Sequence, residues 1–323
     1  LSRGSMNTFL NAMTYPDKTI YPASSTVKRD FFNLFEVYGD SVFHPLLRRE
    51  SFHQEGRRYL LDEHGRLVVD GVVYSEMQGN YSSHDSIAGE WSYRSLFPDS
   101  PYRFDSGGEP EAIRDLSYEE FLAFHRTFYH PSNCRVFLYG NIPSSHTLRL
   151  LDERFLGGFG ADPPHTEIPL QPRLDTPRSL RLTSPADDDT PSENGSTITI
   201  NWLTVSVHDP LLVLSLEILT EILLGHSGSP LHQAIVESGI GEDISPVSGL
   251  ETQTLELVFS VGVRGTDPQR EGEFVSLVES VLRTLVTEGI PRNVVTGAMN
   301  RVEFQNREIK GGAPFGLRLL AKA

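Results

Sequence analysis

The stretch 161–197 constrains the fold more than any other part of the sequence. It holds seven prolines, at 163, 164, 169, 172, 177, 185 and 191, with the acidic runs Asp187-Asp188-Asp189 and Glu193-Asn194-Gly195. Proline has no backbone N–H and clashes inside helices and central strands, so this stretch cannot be the interior of a domain. The chain must therefore fold on either side of it. Its length of 323 residues agrees with two domains of roughly 100–200 residues each. The expected division is 1–165, a linker at 166–178, and 179–323, with a short strand at 179–183.

The second segment reads cleanly. Thr197-Ile198-Thr199-Ile200-Asn201-Trp202-Leu203 alternates and is β-branched, which predicts a strand. Asp209-Pro210 supplies an N-cap and a first-turn proline for a helix over 211–224, which Gly225 ends. A shorter helix follows over 230–238, then strands near 243–249 and 255–263. A long amphipathic helix covers 271–288, with Phe274, Leu277, Val278, Val281, Leu282 and Leu285 on one face. Gly289 stops it and Pro291 opens another.

The first segment repeats the later part of that order. A hairpin-like pair at 6–13 and 19–24 precedes an amphipathic helix over 27–43, much as 243–263 precedes 271–288. On this internal comparison the first segment lacks an opening strand and helices, on the order of 50–80 residues at typical element lengths. Leu1 and the helical run ending at Ala323 carry no start or stop signal, which predicts a cut at both ends. The rest of the segment reads as a helix over 70–81, a long loop, and a helix opened by the capping box Ser117-Tyr118-Glu119-Glu120. His130-Pro131-Ser132-Asn133 ends that helix, and Arg135-Val136-Phe137-Leu138-Tyr139 reads as a buried strand. The fold class is α+β: two tandem related domains, each a mainly antiparallel sheet with helices on one face, the first truncated at its N-terminus.

Charge narrows the function. Lys and Arg total 28 against 43 Asp and Glu, a formal charge of −15. Such a surface repels phosphate backbones and anionic lipid, so neither nucleic acid nor a membrane is an expected partner. The single cysteine, Cys134, cannot form an internal disulfide and reads as a buried thiol at a strand start. An intracellular setting is expected, a bacterial cytoplasm or an organelle matrix. The most apolar run, 211–224, is interrupted by Glu217 and Glu221 and does not read as a membrane span.

No histidine pair has metal-binding spacing. His125 and His130 are five apart across a helix end, and His226 and His232 are six apart across a Gly-Ser-Gly break. One carboxylate stands out instead. In Gly71-Val72-Val73-Tyr74-Ser75-Glu76-Met77-Gln78-Gly79, Glu76 lies one helical turn after Val72, beside the apolar stripe. A carboxylate turned toward a core must be paired or bound to metal, whereas one at the stripe's edge reaches water.

That segment resembles the Glu-Met-Lys-Gly segment of presequence proteases and falcilysin-like enzymes, a branch of the inverted-motif zinc peptidases related to pitrilysin. Other matches follow in order. They are Asn7 through Thr19, Leu96-Phe97-Pro98-Asp99, Asp105-Ser106-Gly107-Gly108-Glu109-Pro110, Tyr129-His130-Pro131-Ser132-Asn133, and Glu237-Ser238-Gly239-Ile240-Gly241. They extend over nearly the whole chain apart from the linker.

The resemblance implies a zinc metalloendopeptidase that degrades unstructured peptides in a closed chamber. Glu76 would be its third zinc ligand. The two histidines and the general base of His-x-x-Glu-His would lie upstream of Leu1, so no catalytic residue is expected within the chain. One Zn2+ per full-length enzyme is implied, with none expected on this chain alone. A missing N-terminal segment and C-terminal half of the same protein would be its other partners. Asn11, Ala12, Met13 and Thr14 fall in the region that docks substrate as an added strand. Two departures appear: Gln78 replaces the usual lysine, and Ser83 stands where an acidic residue is common, leaving Asp85 to support the ligand. The alternative is a catalytically silent structural or peptide-binding relative of the same fold.

Overall fold

The computed structural model describes residues 4–160, 163–185, 194–308 and 315–322. The acidic run at 187–189 lies outside them. The chain forms two compact units: one of 1–76, 106–167 and 309–323, the other of 77–105 and 168–308. The fold is α+β with small antiparallel sheets. Among the described residues, no helix is long and apolar enough to cross a membrane.

In the first unit the expected hairpin forms, in two steps. Strand β1 (Asn7–Leu10) pairs with β4 (Ala23–Ser25), and β2 (Met13–Thr14) pairs with β3 (Thr19–Ile20). The turn closes through the Tyr15 N–H and the Lys18 carbonyl at 2.8 Å. Asn11 and Ala12 sit in the break between β1 and β2, and both are exposed. The following helix, Lys28–Phe43, buries Leu34 and sets Phe35 and Phe43 against Phe155. A Cβ on Gly39 would lie 2.5 Å from the Phe155 ring, so the glycine is what admits that ring. A second ribbon joins β5 (Arg58–Leu61) to β6 (Leu67–Asp70) and leads into the helix Val72–Asn80, which carries Glu76. The capping box forms as read: Ser117 Oγ accepts the Glu120 N–H at 3.2 Å, and Glu120 Oε2 accepts the Ser117 N–H at 2.9 Å.

The run Arg135–Tyr139 is not a strand, and Val136, Phe137, Leu138 and Tyr139 are exposed. A strand exists only beside a partner, and none of the described segments pairs with this one. Its hydrophobicity is real, but burial does not follow. Cys134 accordingly follows a short 3-10 turn and is only half-buried.

The second unit is built on β7 (Ser196–Ser206) and β10 (Glu256–Thr266), antiparallel along their length, with β8 (Asp243–Ile244) and β9 (Gly249–Glu251) on the far side of β10. The single strand expected over 243–249 is split because Pro246 sits between, in a turn where Ser248 N–H donates to the Ser245 carbonyl at 3.0 Å. Leu231, Ile235, Val261, Val263, Phe274 and Val278 are fully buried between this sheet and the helices Pro230–Ser238 and Glu271–Glu288. Asp209 caps the helix Pro210–Leu224 through the Leu212 N–H at 3.1 Å.

The expected long loop after the Glu76 helix contains the helix His84–Arg94 instead, capped by Ser83. It belongs to the second unit, as do Phe97 and Tyr102, which pack on Val258. The Tyr102 hydroxyl accepts the Leu255 N–H at 2.8 Å. Residues 163–185 of the proline-rich connection have no regular structure, including at 179–183, where a strand was expected. It is nonetheless pinned at Gln171 and Arg173. Gln171 is buried, its N–H donates to Glu256 Oε2 at 2.7 Å, and Arg173 pairs with Glu256 at 3.0 Å. Arg173 also donates to the Leu203 and Thr204 carbonyls.

Candidate functional site

Two features of the first unit carry chemistry. One is the carboxylate of Glu76. The helix that bears it starts at a buried glycine, Gly71, whose carbonyl accepts the Ser75 N–H at 2.8 Å. Met77 is the side chain this helix buries, whereas Val72 and Val73 are exposed and so is Glu76. The expected stripe therefore does not face a core, and the carboxylate meets water because its apolar neighbours do. Glu76 makes no hydrogen bond or ion pair among the described residues.

Directly after this helix the chain is fixed by a polar cluster of the second unit. The Tyr81 hydroxyl donates to Asp105 at 2.9 Å and accepts from Arg94 at 3.3 Å, and Arg94 Nε donates to the Arg103 carbonyl at 2.8 Å. Burial, with Asp105 alongside, pushes the Tyr81 phenol well above its usual range. Asp85, the expected support for Glu76, sits in the first turn of His84–Arg94 and faces Arg264 at 3.5 Å. Arg264 also faces Asp243 at 3.4 Å. The carboxylate of Asp85 is thus committed to the sheet of the second unit.

The other feature is the edge of the hairpin at Asn11–Thr14. Strand β2 and the residues before it pair on one side only among the described residues. Asn11 N–H donates to the Pro22 carbonyl at 3.2 Å, and Met13 stands in register with Ile20. Along an extended chain, successive residues turn their N–H and C=O groups to opposite sides. With Asn11 and Met13 both facing the hairpin partner, Ala12 faces outward. Its N–H is held by the side-chain oxygen of Asn11 at 2.9 Å, and its carbonyl has no partner among the described residues. A cavity of about 380 Å³ lies at this point, lined by Leu10, Asn11, Ala12, Tyr21, Tyr38 and Ser41. Tyr21 and Tyr38 were not singled out by sequence. Their aromatic character reads as ordinary core in a strand and a helix stripe.

Zinc sites need three or four protein ligands. Among the described residues, no group of three or more His, Cys, Asp or Glu side chains could hold a metal ion. An exposed carboxylate, unpaired among the described residues, fits one ligand of a shared site.

Comparison with known proteins assigns the chain to a family. The family model described as the Peptidase M16 inactive domain matches residues 115–302. The chain belongs to the M16 peptidase family. Within it, the chain is presequence-protease-like. It is 38 % identical over 330 residues to presequence protease 1, chloroplastic/mitochondrial, of Arabidopsis thaliana, covering all of this chain and 30 % of that one. It is 35 % identical over 321 residues to the mitochondrial presequence protease of Mus musculus, covering 98 % of this chain and 31 % of that one. The chain thus spans about a third of the length of these relatives. The M16 inactive-domain structure from Pseudomonas fluorescens superposes with a TM-score of 0.67 at 14 % identity, covering 97 % of this chain and 69 % of that one. A putative M16-like peptidase from Alicyclobacillus acidocaldarius gives 0.62 at 18 % identity, covering 92 % and 65 %. At that identity the likeness is one of fold.

Proposed function

We propose that this chain works as part of a zinc metalloendopeptidase acting on unstructured peptides, supplying Glu76 as a metal ligand and the edge at Asn11–Thr14 as the place where substrate docks. The observation that carries this reading is the outward-facing Ala12 on an edge paired on one side, in the same compact unit as the unpaired carboxylate of Glu76.

A peptide added to this edge meets backbone groups rather than side chains, which gives affinity without demanding a particular sequence. The Ala12 N–H is engaged by the exposed Asn11 amide, and a peptide carbonyl replaces that bond at little cost because the displaced side chain returns to water. The methyl group of Ala12 allows close backbone approach. Glu76 offers a carboxylate oxygen with no competing cation among the described residues, and the remaining ligands come from residues other than those described. Zinc, when bound, polarises a carbonyl and lowers the pKa of a bound water. Asp85 is left to its pairing with Arg264.

The test is Glu76→Gln in the complete protein, which keeps shape and removes the anionic ligand. Zinc affinity is expected to fall more than the roughly 10–100-fold typical of losing an outer hydrogen-bond partner, and peptide hydrolysis with it. Normal zinc content and turnover in that variant would remove Glu76 from the site. A second reading, a silent scaffold that walls a peptide cleft, draws on the description of the matching family as an inactive domain. It predicts that the complete protein binds peptides without hydrolysing them.

A further inference from the structure

The break between β1 and β2 is held from two sides. On the hairpin side Asn11 N–H donates to the carbonyl of Pro22 at 3.2 Å. On the helix side the Tyr38 hydroxyl, from Lys28–Phe43, donates to the carbonyl of Asn11 at 3.4 Å. That carbonyl and the Ala12 N–H belong to one peptide unit, and a peptide unit is planar and trans, so its C=O and N–H point in opposite directions. Fixing the oxygen on Tyr38 therefore fixes the direction of the Ala12 N–H, which is the donor the docking edge offers.

The neighbouring residues brace the same plane. Tyr21 precedes Pro22, and its hydroxyl bonds the Tyr129 hydroxyl at 2.6 Å. The Tyr129 ring stacks on His125 at 4.5 Å, and His125 Nε2 donates to the Val42 carbonyl at 3.1 Å. Val42 lies one helical turn beyond Tyr38, so strand and helix are joined by a second route around the cavity that Tyr21 and Tyr38 both line.

We infer that Tyr38 is a positioning residue for peptide docking: its hydroxyl holds the Asn11 carbonyl and thereby aims the Ala12 N–H at the substrate backbone. This rests on the docking reading given above. The Tyr38 hydroxyl acts through the Asn11 carbonyl, so its loss is expected in KM rather than in kcat or zinc content.

The experiment is a double-mutant cycle between Tyr38→Phe and Ala12→Pro in the complete protein, with a long unstructured peptide as substrate. Tyr38→Phe is expected to raise KM about two- to tenfold, the range for one lost neutral hydrogen bond, with kcat and zinc content unchanged. Proline at position 12 has no N–H to aim, so adding Tyr38→Phe in that background is expected to change KM no further. A merely structural tyrosine would give the same loss in both backgrounds, and that additive result would overturn the inference. So would an unchanged KM for Tyr38→Phe beside a raised KM for Ala12→Pro. If Ala12→Pro itself leaves KM unaltered, the docking reading fails and the role of Tyr38 falls with it. Thermal unfolding of each variant separates loss of the fold from these outcomes. Should Ala12→Pro not fold, hydrogen exchange of the Ala12 amide replaces it: the peptide is expected to slow that exchange in the parent and to slow it less in Tyr38→Phe, and equal protection in the two overturns the inference.

Discussion

Gly71 is where a single methyl group has the clearest consequence for Glu76. A Cβ built there would lie 2.2 Å from the Gly56 carbonyl oxygen, 2.8 Å from its carbon and 2.9 Å from the Arg57 Cα. Ordinary contact begins near 3.4 Å, so the backbones must part by about 1.2 Å. No side chain can rotate away, because every close atom is main chain. The adjacent rung of the β5–β6 ribbon, Arg58 with Asp70, would open with them. Overpacking of this kind costs about 1–3 kcal/mol, and a lost ladder hydrogen bond about 1 kcal/mol more. The reduced freedom of the unfolded chain returns about 0.4–1 kcal/mol. Gly71→Ala is thus expected to destabilise the first unit by about 1–4 kcal/mol. Gly79 closes the comparison: it lies in the same helix with nothing within 4 Å of its would-be Cβ, so Gly79→Ala is expected to stabilise by about 0.5–1 kcal/mol. Both tryptophans, Trp91 and Trp202, belong to the second unit, so their fluorescence does not follow the first. Hydrogen exchange under urea is the suitable assay, read on the β5–β6 amides for Gly71→Ala and on the amides of the helix Val72–Asn80 for Gly79→Ala. A Gly71→Ala change within 0.5 kcal/mol of the parent, or the two glycines responding with the same sign, would refute this reasoning.

The second unit offers two further tests. Burial, then the nearby Asp105 charge, raises the pKa of Glu90, whose carboxylate accepts the Tyr93 hydroxyl at 3.0 Å. The folded state thus keeps a proton that the unfolded chain has lost, so this contribution is full below the ordinary glutamate range and is lost as pH rises through the folded value. Glu90→Gln is expected to gain stability over the parent progressively above that range, measured by urea unfolding on tryptophan fluorescence, and a pH-independent difference counts against it. Glu256 is 3 % exposed and holds both the Gln171 N–H and Arg173. Glu256→Ala is expected to cost about 1–3 kcal/mol and to release the Gln171 strap to protease, since it strands the buried Gln171 N–H while Arg173 keeps the Leu203 and Thr204 carbonyls; an intact strap at unchanged stability would show the pairing to be incidental.

How much of this was legible in the sequence depended on whether an element's signal is local. The helices Lys28–Phe43, Tyr118–Phe128, Pro210–Leu224 and Glu271–Glu288 carry apolar periodicity or capping chemistry within their own residues, and each appears where that pattern lies. His84–Arg94 carries neither strongly. It buries Ser92 and Arg94, so its inward face is polar and its period is hidden from a hydrophobic reading. The run Arg135–Tyr139 failed in the opposite way. Its composition is that of a buried strand, but pairing and burial come from other segments, and a strand's own residues cannot supply them.

The same distinction separates the two halves of the candidate site. Glu76 stands out by its motif, but its surroundings stay open in the sequence: one helical turn from Val72 implies a shared face, but not which face is covered. In the structure that face is open, and the carboxylate is solvated rather than buried. The edge proposed for docking was legible as a strand with a small residue at Ala12. What sequence could not give is the direction of the Ala12 N–H, because a strand pattern does not say which side is paired. That direction follows only from two partners, Pro22 on the hairpin and Tyr38 on the helix, one of them 27 residues away in sequence. A side-chain hydroxyl bonded to a main-chain carbonyl leaves no trace in periodicity or charge. Tyr38 reads from sequence as one more aromatic of the helix stripe, and only the bond to Asn11 sets it apart from Phe31 and Phe35.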